Sequence, residues 1–201
     1  MKNLSSDIIN LVDWTLKNLQ TTPEESFNEW FFWHHQTSEW AAVNYWLDDP
    51  PHYNVIVNFV RANLTDVTGS AGLNESGIVT IEINVHGQNK FNITNLRPNL
   101  INVYAHELQH LTQNGMPFER INAIKYDDTE IFSNNAFKYF TCGSEVEAFA
   151  SGCLYESKLT GKSYDRIVNS YLQNYVFENY LSKKEKDVII KKWKNAIELV
   201  F

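Results

Sequence analysis

The segment Tyr104-Ala105-His106-Glu107-Leu108-Gln109-His110-Leu111 places two histidines four residues apart, with a glutamate directly after the first. On a helix, residues i and i+4 share one face with about 6 Å between Cβ atoms, so both imidazoles can bind one tetrahedral zinc ion. Glu107 is turned about 100° from His106 and reaches past such a metal, where it can take a proton from the bound water. Six histidines and fifteen glutamates in 201 residues give about 0.013 chance matches to this spacing. Leu100, Ile101, Val103, Ala105, Leu108 and Leu111 spread apolar side chains around most of the same helix, so burial is expected. Two histidines and a carboxylate inside a buried helix must either share a metal or each find hydrogen-bond partners in the core. The metal satisfies the ligands together, and it is the reading adopted.

A catalytic zinc needs a third protein ligand and keeps its remaining position for water. Gly143-Ser144-Glu145-Val146-Glu147-Ala148-Phe149-Ala150-Ser151-Gly152 reads as the start of a second helix, beginning 34 residues beyond His110 at Ser144, and offers two glutamates. Ser144 and Glu147 have the spacing of a capping box, which gives Glu147 a local structural role. Glu145 has apolar Ala148 and Phe149 at i+3 and i+4, so its side chain leaves a face expected to pack inward. A carboxylate there needs a cation. The alternative is that both glutamates are solvated acids favoured by the positive end of the helix dipole. The expected ligands are therefore His106, His110 and Glu145, with Glu107 as general base.

These residues resemble the zincin metallopeptidases, in the gluzincin branch where a glutamate on a following helix joins the two histidines of the helix motif. Residues 101–154, about a quarter of the chain, are similar to small bacterial and phage-borne zincin-like proteins whose second motif is Glu-x-Glu-Ala. The resemblance implies an α+β, zincin-like fold: a small sheet with an edge strand packed on the active-site helix, and a helical remainder. It also implies Zn2+ as cofactor, a peptide or protein substrate paired to the edge strand, and hydrolysis of a peptide bond with Glu107 as base. Family members often carry an Asp shortly after the third ligand to orient a ligand histidine, and here Phe149 occupies that neighbourhood. Tyr126, Tyr139, Tyr155 and His86 are the side chains available to stabilise an oxyanion, and nothing in the sequence selects among them. Two other readings stand beside hydrolysis: a zinc-containing regulatory or binding protein without general proteolytic activity, and a helical protein with an accidental motif.

The elements that must position these residues follow from periodicity. Ser5 or Ser6 with Asp7 opens a first helix with Ile8, Leu11, Val12 and Leu16 on one stripe, closed at Thr21-Thr22-Pro23. Residues 24–47 carry Phe27, Trp30, Phe31, Trp33, Trp40, Val43 and Trp46 at helical spacings and read as a core-covering helical hairpin, in which His34 and His35 diverge too far to share a metal. Tyr53, Val55, Val57 and Phe59 alternate as one strand, and Val79, Ile81, Ile83 and Val85 as another, with Thr80, Glu82, Asn84 and His86 on its wet face. The Gly- and Ser-rich stretch Thr68-Gly69-Ser70-Ala71-Gly72 between them reads as a long loop. The second strand directly precedes the metal helix, and the resemblance to zincins makes it the expected edge. Helices follow from Pro98 to Asn114, from Ser144 to about Leu159 with a stop at Gly161, and over 163–177 and 182–200.

Composition sets the outer limits. A single domain over 1–201 fits 43% hydrophobic and 20% charged residues. Seventeen Lys and Arg against twenty-four Asp and Glu leave a net charge of -7, the wrong sign for binding nucleic acid. No stretch approaches the roughly 20 apolar residues that cross a bilayer, and the acidic start is unlike a signal peptide. The expected location is therefore cytoplasmic (a host cytoplasm if the protein is viral), with Cys142 and Cys153 as reduced thiols. The oligomeric state is not encoded in any of these features.

Overall fold

The computed structural model describes residues 4–21, 31–36, 53–61, 65–73, 79–88, 93–112, 136–174 and 181–200. It is an α+β structure with a small mixed sheet and a mostly helical remainder. The elements in chain order are α1 (Leu4–Thr21), β1 (Phe31–Gln36), β2 (Tyr53–Arg61), β3 (Asp66–Leu73), β4 (Val79–Gly87), a 3-10 turn (Thr94–Leu96), α2 (Arg97–Thr112), α3 (Ala136–Phe140), α4 (Gly143–Thr160), α5 (Tyr164–Asn174) and α6 (Lys183–Val200). No helix of the described residues is long and apolar enough to cross a membrane.

The strand order is β1-β2-β4-β3, with β2 and β4 parallel and the two outer pairings antiparallel. Alternation sorts the faces: Val55, Val57 and Phe59 stand opposite Ile81, Ile83 and Val85, and all six are fully buried. On the other face, Asn58 donates from Nδ2 to Glu82 Oε1 at 2.9 Å and to Asn84 Oδ1 at 3.0 Å. The buried face is covered by α1 and α2, with Ile8, Leu11, Val12 and Leu19 joining Leu100, Tyr104, Ala105 and Leu108 in one core. Inside it the Thr15 and Tyr104 hydroxyls are hydrogen-bonded at 2.6 Å, which satisfies two groups that would be costly to bury alone. A second core gathers Phe140, Phe149, Cys153, Ile167, Val168, Leu172, Ile189 and Trp193 from α3 to α6. The two cores meet where α4 lies along α2.

Three sequence expectations are overturned here. Val79–Gly87 is an interior strand paired on both sides, so it is not the sheet edge. The edge on that side is β3, the Gly- and Ser-rich stretch read as a loop. Its inward row is Val67, Gly69 and Ala71, small enough for the strand to lie close under α2, and main-chain pairing with β4 overrides the weak strand propensity of glycine. Phe31–Gln36, expected within a helical hairpin, is a strand antiparallel to β2; its aromatic residues suit a pleated surface, and β2 supplies the partner that a helical pattern ignores. The rest of that hairpin and the end of the metal helix beyond Thr112 lie outside the described residues. The other helices stand close to the expected bounds, and Gly161 ends α4 at φ 71, with its N–H donating to the Ser157 carbonyl at 3.0 Å.

Candidate metal centre

Because α2 is a regular helix through Thr112, Asn102, His106 and His110 form one stripe at four-residue steps, and Val103 and Glu107 form the stripe beside it. The first stripe faces α4 and the second faces β3.

On the α4 side the stripe meets Glu145. His106 Nε2 and His110 Nε2 are 3.0 Å apart, His106 Nε2 is 3.5 Å from Glu145 Oε2, and His110 Nε2 is 3.5 Å from Glu145 Oε1. A tetrahedral ion with ligand atoms about 2.0–2.1 Å away has ligand-to-ligand edges of about 3.3–3.4 Å; each imidazole faces a different oxygen of the carboxylate, and one donor atom from each of the three residues lies within 4.8 Å of the other two. His106, His110 and Glu145 are each at most 9% exposed. Glu145 Oε2 is fully buried and lacks a hydrogen-bond partner, an expensive omission in a site without a cation. The group could hold a metal ion.

The electrostatics agree. Burial alone would lower the His106 pKa, but the Glu145 carboxylate 3.5 Å from it and the nearby charge of Glu107 outweigh burial and raise it. Burial would raise Glu145, yet His106, His110 and a hydrogen bond from the Tyr139 hydroxyl lower it. The site therefore favours an ionised carboxylate beside cationic neighbours, a demand that a divalent ion meets directly.

The capping box proposed for Ser144 and Glu147 is not formed. The N-cap of α4 is Cys142, with no side-chain cap bond, and Ser144 lies inside the helix and is buried. The helix begins two residues earlier than the box requires, because the extended backbone of Cys142 (ψ 137) already lets its carbonyl accept the Val146 N–H at 2.8 Å. Glu147 is exposed and Glu145 is 4% exposed, so burial separates the two glutamates where the capping argument could not.

Phe149, which stands where an orienting Asp was sought, packs edge-on against the His106 imidazole with centroids 4.4 Å apart. Its other face stacks on Trp193 at 4.9 Å and 13°. An aromatic wall therefore fixes the ring plane of His106.

On the β3 side, a Cβ built on Gly69 would lie 2.6 Å from Val103 Cγ1 and 2.7 Å from Glu107 Oε1. Glu107 is 4% exposed, and its side chain lies in the space that Gly69 leaves empty. Sequence reasoning missed Gly69 altogether. The available signal was a glycine within an alternating stretch, which marks close backbone approach as well as a loop.

The remaining oxyanion candidates separate by place. Tyr139 sits beside Glu145, Tyr155 is packed in the sheet-side core, and His86 is on the opposite face of the sheet, 3.3 Å from Thr68 Oγ1; Tyr126 lies outside the described residues. Cys142 and Cys153 are both free, and burial pushes the Cys153 thiol up to about 12, which leaves it unreactive. No family model matches the chain, and neither a curated protein nor a solved structure is similar to it.

Proposed function

We propose that this chain is a zinc-dependent peptide-bond hydrolase of the zincin type, with His106, His110 and Glu145 as ligands and Glu107 as general base. The observation that carries the reading is the convergence of two imidazoles and one buried carboxylate, with one donor atom from each within 4.8 Å of the others, beside a glutamate on the same helix as the histidines held beneath a sheet edge. Two neutral imidazoles and one carboxylate are a zinc ligand set, and three protein ligands leave a position open. When bound, zinc supplies Lewis acidity toward a carbonyl and a water. Glu107 takes the water's proton and returns it to the departing amine, and its burial against Gly69 holds the carboxylate ready on the face of α2 next to the ligands. Tyr139 donates to Glu145 and adds to the lowering of its pKa by the two histidines. The substrate edge moves from β4 to β3, which has no strand beyond it among the described residues and can add an extended peptide through main-chain hydrogen bonds.

The test uses the full chain purified without added metal. About one zinc per chain is expected, together with cleavage of a peptide library that Glu107→Gln abolishes while zinc content is kept. A protein that holds zinc but cleaves nothing with Glu107 intact would be the regulatory or binding protein instead, and equal turnover by Glu107→Gln would remove this residue as the base.

A further inference from the structure

We propose that Gly152 and Asn102 form the spacer that holds α4 at the distance from α2 at which Glu145 reaches both histidines; the proposal rests on the metal-site reading above. A Cβ built on Gly152 would lie 2.6 Å from Asn102 Oδ1 and 2.8 Å from the Asn102 carbonyl oxygen. The two helix backbones therefore touch at this point, in a gap that only glycine leaves open. The carbonyl involved is the one that accepts the His106 N–H in the α-helical pattern, so the contact bears on the turn that carries the first ligand.

Asn102 also fixes how α4 is rotated and staggered. Its Nδ2 donates to Glu156 Oε2 at 2.9 Å and lies 3.8 Å from Cys153 Sγ. Gly152 and Glu145 are seven residues apart on one helix, two turns along nearly the same face, and Asn102 is one turn before His106 on the ligand stripe. Spacer and ligands thus lie on one seam, and a displacement of α4 at Gly152 is carried along a rigid helix to Glu145. Relieving a 2.8 Å contact with a backbone oxygen to an ordinary separation of about 3.5 Å needs an opening of about 0.7 Å. Added to edges already at 3.5 Å, such an opening takes the carboxylate beyond bonding range of an ion seated on the histidines.

Gly69 supplies a matched control, because its equally close contacts are with Val103 and Glu107, on the stripe that holds no proposed ligand. The measurement is Zn2+ affinity of the full chain by competition with a chromophoric chelator, with the d–d spectrum of the Co2+ form as a second readout. Gly152→Ala should weaken Zn2+ by about tenfold or more and replace the intense bands of four-coordinate Co2+ by weak ones, as several waters enter where Glu145 withdraws and raise the coordination number to six. Asn102→Ala adds no volume and removes the seat and the tie to Glu156, so it tests the spacer even if Gly152→Ala does not fold; a loss of about tenfold is expected, as for other residues that orient metal ligands. Gly69→Ala should stay within about twofold of the parent. Parent-like affinity and spectrum in Asn102→Ala, or in a folded Gly152→Ala, would overturn the spacer, as would an equal loss in Gly69→Ala, which would make the effect general packing. A parent chain that binds no Zn2+ would instead overturn the metal reading beneath it.

Discussion

Replacing Gly69 by Ala should destabilise the protein, and the same replacement should be neutral or stabilising once Val103 is also Ala. The added methyl would sit 2.6 Å from Val103 Cγ1, 2.7 Å from Glu107 Oε1 and 2.9 Å from Glu107 Cγ, whereas carbon atoms in contact prefer about 3.5–4.0 Å. Val103 cannot give way easily, because a β-branched residue in a helix has one strongly preferred χ1 rotamer. Glu107 can swing aside, at the cost of its placement. Overpacking of this kind costs about 1–3 kcal/mol, and Gly→Ala returns about 0.4–1 kcal/mol by restricting the unfolded chain. The net loss should be about 1–2 kcal/mol, which changes the folded-to-unfolded ratio by a factor of about 5 to 30. Removing the two γ-methyls of Val103 takes away the harder of the two contacts, so the sign reverses and the coupling energy should exceed about 1 kcal/mol. The assay is urea unfolding of the metal-free parent, both single variants and the double variant, followed by circular dichroism with unchanged m-values required. An effect of Gly69→Ala that is the same in both backgrounds, within about 0.5 kcal/mol, would refute the claim that β3 rests on α2 through this glycine.

Glu145→Ala should weaken zinc binding strongly, whereas Glu147→Ala, at an exposed position, should leave both affinity and stability within about 0.5 kcal/mol; chelator competition and thermal melts on both variants decide it. Phe149→Ala should cost about 3–5 kcal/mol in the metal-free protein by urea unfolding, since a buried ring stacked on Trp193 and set against His106 is lost; a cost below about 1 kcal/mol would show that the aromatic wall does not hold the site. Depressed Glu145 adds stability that is present above its unfolded pKa and lost as pH falls through the folded one, whereas raised His106 adds stability that is present below its unfolded pKa and lost as pH rises through the folded one. In the metal-free chain this pair should therefore stabilise most between the carboxylate and imidazole ranges. Zinc needs deprotonated imidazoles, so the thermal shift produced by zinc should grow as pH rises through the raised pKa of His106, and a zinc shift that does not change with pH would contradict that assignment.

Local rules accounted for a defined part of this protein. Two histidines four apart on an amphipathic stretch must share a face wherever a helix forms, so the pairing of His106 and His110 follows from a 3.6-residue period alone. The same holds for the α1 stripe and for Gly161, whose freedom to adopt positive φ stops α4. Choices between distant segments were not legible in this way. Val79–Gly87 alternates as an edge strand would, and only the order β1-β2-β4-β3 shows that both of its edges are occupied, because pairing partners are chosen across the chain and leave no mark on the strand itself. Phe31–Gln36 and the Gly-rich β3 became strands for the same reason: β2 gave the first a partner, and main-chain pairing to β4 overrode the weak strand preference of the second. At the centre, the spacing of Ser144 and Glu147 suggested a cap that does not form, and the burial that distinguishes Glu145 from Glu147 exists only because α4 packs on α2. The roles of Gly69 and Gly152 depend on which atoms of another element fill the space a side chain would take, and that is decided by tertiary packing.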